Sequence, residues 1–313
     1  MTTALITHEA CLDHRPPPGH PERPARLEAI LAALDAEEFR ALKRETAPKA
    51  TEEALKRMHD SDYIKDVLDA IPQSGFVQFD SDTLGSPGSG EAILRAAGAV
   101  VLAVDLVMKG EVRNAFCAVR PPGHHALSAR AMGFCLFNNV AVGAAHARAV
   151  HGLKRVAVVD FDVHHGNGTQ AMFYSNPDLF YASTHQSPLY PGTGHEYEKG
   201  VADNILNVPL APGSGGAEFR TGFEMTLLPA LRGFRPELLM ISAGFDAHKS
   251  DPLAQLRFDE SDYFWATEKL CALAGEICGG RVVSTLEGGY DLSALASSAV
   301  AHVKALMAAG STA

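Results

Sequence analysis

The chain has 313 residues, of which 46% are hydrophobic and 20% charged, and it contains 28 glycines and 18 prolines. This composition is typical of a globular protein and excludes a disordered, collagen-like or low-complexity chain. The formal net charge is −10 at pH 7, and Lys and Arg never run for more than two residues, which argues against nucleic acid or an anionic membrane as a partner.

The sequence also bears on compartment and domain number. We expect no secretory signal, because the amino terminus lacks a basic region followed by a long apolar core. The most membrane-like stretch, Ala96 to Val104, is about half the ~20 residues that span a bilayer and is predicted to be a buried helix. We therefore predict a single cytoplasmic domain over residues 1–313. No C-x-x-C pair occurs, so neither disulfides nor a thiolate zinc site is expected of Cys11, Cys117, Cys135, Cys271 and Cys278.

Helical and strand-like segments alternate along the chain. Residues 27–34 have the i, i+3, i+4, i+7 apolar spacing of a helix, and a second helix, apolar nearly all round, is predicted from Glu91 to Met108. Short apolar runs follow, each ending in a polar loop, as expected of strands covered on both faces. These predicted strands are residues 116–120, 155–159, 179–183, 238–242 and 282–286.

This alternation predicts an α/β fold with one open, mostly parallel, doubly wound sheet flanked by helices. In such sheets ligands bind outside the carboxyl ends of the strands, which is where the polar loops fall. A different glycine-rich stretch, residues 212–216, lacks the Gly-Lys-Ser/Thr of a phosphate-binding loop and is predicted to be an ordinary loop before a helix.

The densest group of polar residues is DFDVHHGNG at residues 160–168. If the preceding strand continues, its period of two places Asp160, Asp162 and His164 on one side. Carboxylates at the end of a buried strand would repel each other and lose hydration, which favours a bound cation. The alternative is an acidic loop held together by hydrogen bonds.

Two further strand ends supply residues of the same kind. Asp246 lies in AGFDAH at residues 243–248, and His124 and His125 follow the PPG of residues 121–123. Two Asp and one His can form a three-ligand set for Zn²⁺ with one position open for water, which is typical of a catalytic metal. Taken singly, each His fits a structural residue and Asp246 a helix cap. Their shared position at strand ends carries the prediction.

The chemistry-bearing motifs occur in a fixed order: RPPGHH at 120–125, DFDVHHGNG at 160–168, AGFD at 243–246 and LEGGY at 286–290, preceded by GHPER at 19–23 and SPGS at 86–89. Together they resemble the metal-dependent histone deacetylase family, in its class II branch with the bacterial amidohydrolases. The resemblance extends from about His8 to about Asp291 and implies the arginase/deacetylase fold.

The resemblance implies a role for each matching residue. Asp162, His164 and Asp246 would bind one Zn²⁺, and His124 and His125 would lie beside the water that the metal activates. Zinc lowers the pKa of such a water and polarises the carbonyl of an amide substrate.

The same resemblance places Asp160 behind His124 and Asn167 behind His125. A carboxylate favours an imidazolium, whereas a neutral amide does not. We therefore predict that His125 stays neutral and acts first as base and then as acid, with His124 as its electrostatic partner.

Tyr290 would face the metal across the site and polarise the substrate carbonyl, with Gly288 and Gly289 allowing the tight turn that directs its ring inward. Outside this motif, a packed surface aromatic would be the simpler interpretation. The resemblance also implies a structural K⁺ bound by backbone carbonyls of Asp160, Asp162 and His164, with Ser183 nearby.

The substrate channel is implied by the resemblance as well. Phe134 and Tyr190 would form opposite walls for an acyl-lysine stem, although each is equally consistent with a core position. Gly133 would accept the substrate amide N–H. Leu253 occupies the position at which acetylpolyamine relatives have Glu, which favours an acyl-lysine substrate unless another loop, such as that of Asp82, supplies a carboxylate.

We therefore predict a zinc-dependent amide hydrolase that deacylates acyl-lysine or a small acylated amine. The alternative within the same chemistry is an acetylpolyamine amidohydrolase. A non-catalytic acyl-lysine-binding scaffold would have lost the metal ligands or Tyr290, and an arginase-like hydrolase would need more Asp ligands for a second bridged metal. Fe²⁺ or Co²⁺ could replace zinc in such an oxygen-rich site.

Overall fold

Parallel strands dominate the computed structural model, which describes residues 2–311. Eight of its strands form one sheet, and β3 and β4 pair separately as an antiparallel hairpin. The strands are β1 (Thr3–Thr7), β2 (Lys43–Thr46), β3 (Val77–Gln78), β4 (Leu84–Gly85), β5 (Asn114–Cys117), β6 (Val156–Asp160), β7 (Leu179–Gln186), β8 (Ile205–Leu210), β9 (Leu238–Ala243) and β10 (Val282–Leu286).

The large sheet confirms the predicted α/β fold. Its strand order is β2-β1-β5-β10-β9-β6-β7-β8, and every neighbouring pair is parallel. The five predicted strands correspond to β5, β6, β7, β9 and β10, all of them buried along their whole length. Because both faces are covered, their sequences are apolar without alternation.

The structure corrects two strand boundaries. β5 ends at Cys117, so residues 118–120, which were predicted to be strand, lie in the connection that leads to the histidine pair. β6 ends at Asp160, so strand alternation does not place Asp162 and His164, contrary to the prediction. The chain leaves the sheet there because the Asp162 backbone N–H donates to the Asp160 carboxylate, and that of His164 donates to the Asp162 carboxylate.

Helices cover both faces of the sheet. Helix α4 packs against α5 and β5 on one face, while α10 packs against α1, α9 and β5 on the other. The predicted helix at 91–108 is α4, and the loop at 212–216 leads into α7 as expected. The α-helices are α1 (Ala25–Ala33), α2 (Glu52–Leu55), α3 (Ser61–Ala70), α4 (Ser89–Met108), α5 (Asn139–His151), α6 (Asn167–Phe173), α7 (Gly216–Gly222), α8 (Leu228–Phe234), α9 (Glu260–Ile277) and α10 (Leu292–Ser311).

Helix α10 is the one helix within residues 2–311 that is long and apolar enough to cross a membrane, with a mean hydropathy of 1.4. This helix was not predicted from the sequence; the most membrane-like stretch predicted, Ala96–Val104, lies in α4. Leu295, Val303 and Leu306 of α10 are buried in the hydrophobic core. Packing in the protein interior therefore accounts for the buried face of the helix, which is 44% of its most apolar window.

The strand order brings four loops to one edge of the sheet. β5, β10, β9 and β6 are adjacent, and the loops that leave their carboxyl ends carry the histidine pair, the tyrosine motif, Asp246 and the Asp160–Gly168 segment respectively. From β6 the chain continues to β7 on one side, whereas from β9 it continues to β10 on the other. The order therefore reverses between β9 and β6, and open α/β sheets bind their ligands at such a point.

Candidate active site

Asp162, His164 and Asp246, hereafter the Asp–His–Asp cluster, direct three donor atoms at one point. His164 Nδ1 lies 3.0 Å from Asp162 Oδ1 and 3.1 Å from Asp246 Oδ2, and the donor atoms all fall within 4.8 Å of one another. All three residues are buried. The backbone N–H of Val163 donates to Asp246 at 2.8 Å and that of Gly288 donates to Asp162 at 2.8 Å, which fixes both carboxylates.

The electrostatics of this cluster fit a cation. Burial and the neighbouring Asp162 carboxylate raise the pKa of Asp246 to about 7. Burial opposes charge on His164, but hydrogen bonds to Asp162 and Asp246 outweigh it and raise the pKa of that imidazole to about 10. Two buried carboxylates thus depend on a shared positive partner. Two carboxylates and one imidazole are donors that Zn²⁺ accepts, and three protein ligands leave a position open.

His124 is surrounded by negative charge. Its Nδ1 lies 2.9 Å from Asp160 Oδ2, which also accepts the Tyr181 hydroxyl at 3.1 Å, and its Nε2 lies 3.9 Å from Asp162 Oδ2. Burial would favour the neutral ring, but Asp160 and Asp162 together raise the pKa of His124 well above its ordinary value. His124 is therefore held as an imidazolium.

His125 has the opposite environment. Its ring centroid is 4.0 Å from that of His124, and its Nδ1 lies 2.7 Å from Asn167 Oδ1. Burial and the positive charges of His124 and His164 lower the pKa of His125 well below its usual value. Because an amide oxygen can only accept, Nδ1 carries the ring proton and Nε2 keeps a free lone pair. The Asn167 amide group is oriented in turn by a 3.3 Å contact from Nδ2 to Met132 Sδ.

Tyr290 is held by both its ring and its backbone. The Arg26 guanidinium lies 4.9 Å from the ring centroid and donates to the carbonyls of Gly289 and Glu287, each at 2.5 Å. Burial raises the pKa of the Tyr290 phenol well above its ordinary value, so its hydroxyl remains a proton donor.

The glycines before Tyr290 are required by space and by backbone conformation. A Cβ at Gly288 would lie 2.1 Å from Asp246 Oδ2 and 2.6 Å from Asp162 Oδ2. Gly289 has φ +123°, a conformation that residues with side chains rarely adopt. The turn therefore brings the backbone against the Asp–His–Asp cluster.

A cavity of about 220 Å³ opens above these groups. His125, His164 and Tyr290 line its inner end, and Leu189 contributes to its wall. Phe134 lies 5.9 Å from Tyr290, and Tyr190 lies 5.2 Å from His125, both between ring centroids. All the predicted wall residues therefore line one cavity, namely Gly133, Phe134, Tyr190 and Leu253, together with Asp82.

Ser183, predicted near a monovalent cation, lies beside Asp160 in the register of β7 and β6. Its hydroxyl is 2.9 Å from His185 Nδ1. The strand pairing thus brings Ser183 next to the segment whose carbonyls were predicted to bind K⁺.

Buried charged residues that were not predicted from the sequence support the site. Glu22, in the GHPER motif, lies within 3.2 Å of Arg26 and pairs with Arg120 at 2.5 Å, all three fully buried. Glu287 accepts the backbone N–H groups of Gly123 and His124 at 2.6 and 3.1 Å. The charged residues Glu22, Arg120 and Glu287 within the ordered motifs were the available signal, since charged residues are rarely buried unless paired.

Asp251, two residues before Leu253, was not predicted to have a role either. Its carboxylate accepts the backbone N–H of Tyr290 at 2.7 Å and that of Leu253 at 3.0 Å. Burial raises the pKa of Asp251, while these hydrogen bonds oppose the rise. The Asp251 side chain therefore links Leu253, in the cavity wall, to the backbone of Tyr290.

The chain is similar to known proteins over most of its length. Residues 20–306 match the family model of the histone deacetylase domain. The chain is 42% identical over 309 residues to Histone deacetylase 14, chloroplastic, of Arabidopsis thaliana, covering 92% of this chain and 73% of that protein. It is 37% identical to the histone deacetylase-like amidohydrolase of Pseudomonas aeruginosa, covering 92% and 82% respectively.

The fold is similar to that of a solved relative. The crystal structure of the HDA15 HD domain superimposes with a TM-score of 0.93 at 38% sequence identity, covering 98% of this chain and 88% of that one. A protein of Archaeoglobus fulgidus named a probable deacetylase is 35% identical over 93% of this chain and 82% of its own length.

Proposed function

Because this chain belongs to the histone deacetylase family and is a deacetylase hydrolase, we propose that it removes acetyl groups from acylated lysine or a small acylated amine in the cavity above the Asp–His–Asp cluster. The observation that carries the proposal is the convergence of His125, His164 and Tyr290 on the inner end of one cavity.

Asp162, His164 and Asp246 would hold a Zn²⁺ ion. Bound there, zinc supplies Lewis-acid chemistry, lowering the pKa of a water molecule and polarising a carbonyl oxygen. The ion would also supply the positive charge that the two buried carboxylates require. This donor set therefore fits a divalent cation.

The protein's own groups would supply the proton transfers. Nε2 of His125 carries a free lone pair and takes a proton from the attacking water, then returns it to the departing amine. His124, charged through Asp160 and Asp162, stabilises the negative charge that develops during attack. The Tyr290 hydroxyl donates a hydrogen bond to the former carbonyl oxygen.

The experiment is a substrate panel assayed with metal-stripped and zinc-reconstituted protein. We expect hydrolysis of an acetyl-lysine peptide to disappear on stripping and to return with zinc, and Tyr290→Phe to lose about 10²–10³ in kcat, as expected when one oxyanion donor is removed. Reconstitution with Fe²⁺ and Co²⁺ identifies the preferred metal. Full activity in the stripped protein, or in Tyr290→Phe, would contradict the mechanism.

The cavity favours acyl-lysine over an acetylpolyamine. Leu253 offers no charge to a distal ammonium, and Asp82 Oδ1 already accepts the Gly133 N–H at 3.1 Å and the Thr83 hydroxyl at 2.8 Å. We expect acetyl-lysine peptides to be preferred over acetylputrescine, and Leu253→Glu to shift the preference towards the polyamine. Leu253→Gln is the isosteric uncharged control. A wild-type preference for acetylputrescine would overturn the substrate assignment.

We further propose K⁺ as a structural ion near Asp160, Asp162, His164 and Ser183. The support is the pairing of Ser183 with Asp160 across β6 and β7. We expect the Tm to rise with KCl more than with equal LiCl, and equal responses would count against the site.

A further inference from the structure

A second cluster of metal-binding residue types lies on the helices that cover one face of the sheet. It consists of Asp105 on α4 with His146 and His151 on α5, hereafter the helix cluster. Both helices end near it, just before the chain enters β5 and β6. It therefore lies towards the amino ends of the strands, at the edge opposite the cavity, and takes no part in the proposed deacetylation.

The donor atoms of the helix cluster converge on one point. Nε2 of His146 lies 2.8 Å and Nε2 of His151 lies 2.6 Å from the same oxygen, Asp105 Oδ1. All three donor atoms fall within 4.8 Å of one another. His146 is buried, whereas Asp105 and His151 are partly exposed, so an ion can enter from solvent.

The surroundings favour a cation for a second reason. Asp105 lies in the last turn of α4 and His151 is the last residue of α5. The carboxyl ends of two helices, each with the negative end of its dipole, therefore approach the cluster together. One carboxylate and two imidazoles are the donors that Zn²⁺, Co²⁺ and Ni²⁺ accept.

We propose that Asp105, His146 and His151 form a second divalent transition-metal site, separate from the catalytic one. In the metal-free protein, each imidazole can donate its Nε2–H to Asp105, which holds the donors together. Metal binding requires both rings to carry their proton on Nδ1 and to offer the Nε2 lone pair to the ion.

Arg57 opposes the bound state. Its Nη1 donates to Nδ1 of His146 at 3.2 Å, while Nη2 contacts Glu53 at 3.2 Å. A metal-bound imidazole normally donates its other N–H to an acceptor, and a guanidinium can only donate. The ion must therefore displace Arg57 from His146, so the helix cluster binds metal more weakly than the Asp–His–Asp cluster. Arg57 is the residue that limits its affinity.

The test is to measure zinc bound per chain at increasing free Zn²⁺, using the full-length holoenzyme. We expect the wild type to bind one equivalent more than His151→Ala and Asp105→Asn, with deacetylation by both variants unchanged. Because the result is the difference in bound zinc between wild type and variant, it does not depend on whether the catalytic site is occupied. His195→Ala, which removes an exposed histidine elsewhere, should retain both equivalents.

Arg57→Gln separates a metal site from a hydrogen-bonded group. An amide oxygen can accept the Nδ1–H of metal-bound His146, so the variant should bind the second equivalent at least about tenfold more tightly. Equal zinc content in wild type and His151→Ala, or weaker binding in Arg57→Gln, would overturn the proposal. Circular dichroism spectra of each variant, compared with wild type, show whether a variant that binds less zinc is still folded.

Discussion

Replacing Asp251 by Asn tests whether this side chain positions the backbone of Tyr290 relative to Leu253 in the cavity wall. The Asp251 carboxylate accepts backbone N–H groups from both Tyr290 and Leu253. Asn has the same size but only one accepting oxygen, and its NH₂ group would face one of these donors. The variant therefore keeps one contact and replaces the other with a repulsion between donors.

The size of the effect follows from those contacts. A hydrogen bond to a charged group contributes about 1.5–3 kcal/mol, so the free energy of unfolding should fall by roughly that amount. For catalysis the upper bound is complete loss of the Tyr290 contribution, about 10²–10³ in kcat. Since Tyr290 also remains held by Arg26, we expect a partial loss of about 10–100-fold in kcat, equivalent to about 1.4–2.7 kcal/mol.

The assay is a double-mutant cycle with Tyr290→Phe. If Asp251 acts through the tyrosine hydroxyl, Asp251→Asn should change kcat by less than about twofold in the Tyr290→Phe background. Asp259→Asn is the matched control, because Asp259 also accepts a backbone N–H, at 2.9 Å from Ser261, but caps α9 away from the cavity. An equal loss of kcat in both backgrounds, or a loss of stability without any loss of kcat, would refute the reasoning.

Three other changes have defined outcomes. His125→Ala should lose about 10²–10⁴ in kcat, more than His124→Ala, because it removes the general base, and the reverse order would reassign the two roles. The Cβ introduced by Gly288→Ala would collide with the Asp–His–Asp cluster, so equilibrium dialysis should show zinc binding at the catalytic site weakened at least about tenfold. Gly275→Ala is the control, because its Cβ would have no atom within 4 Å, and it should leave zinc binding unchanged. Burial lowers the pKa of His302 to about 3, so below its ordinary pKa of 6.5 the unfolded chain takes up a proton that the folded chain does not. Stability should therefore fall by about 2 kcal/mol between pH 6.5 and 5 through this residue alone, and urea unfolding of His302→Gln, compared with wild type, should show a correspondingly smaller loss.

Much of the fold was predictable because a parallel sheet leaves a strong local signal. Buried strands such as β6 and β9 are apolar over most of their length, and each ends two or three residues before a member of the Asp–His–Asp cluster. The place of Asp162 and His164 was predicted for the wrong reason, since hydrogen bonds to the preceding carboxylates position them after the strand has ended.

Contacts between distant parts of the chain were not predictable from local patterns. Asp105 and His146 are 41 residues apart, and neither belongs to a motif. Asp251 was not predicted to have a role, because its partners are backbone N–H groups that no residue pattern reveals. Such contacts depend on how the loops pack, and the strand order of the whole sheet determines which loops are neighbours.

The buried Glu22–Arg26–Arg120 network bears on how this protein becomes active during synthesis. Arg26 donates to the Gly289 carbonyl across 263 positions of sequence, and Arg120 reaches Glu22 across 98. A nascent chain that has completed most of its sheet still lacks Glu287 and Gly289, whose carbonyls accept hydrogen bonds from Arg26. Activity should therefore appear only after the last strand has left the ribosome, and deleting the first 26 residues should inactivate the chain even where the remaining sheet still assembles.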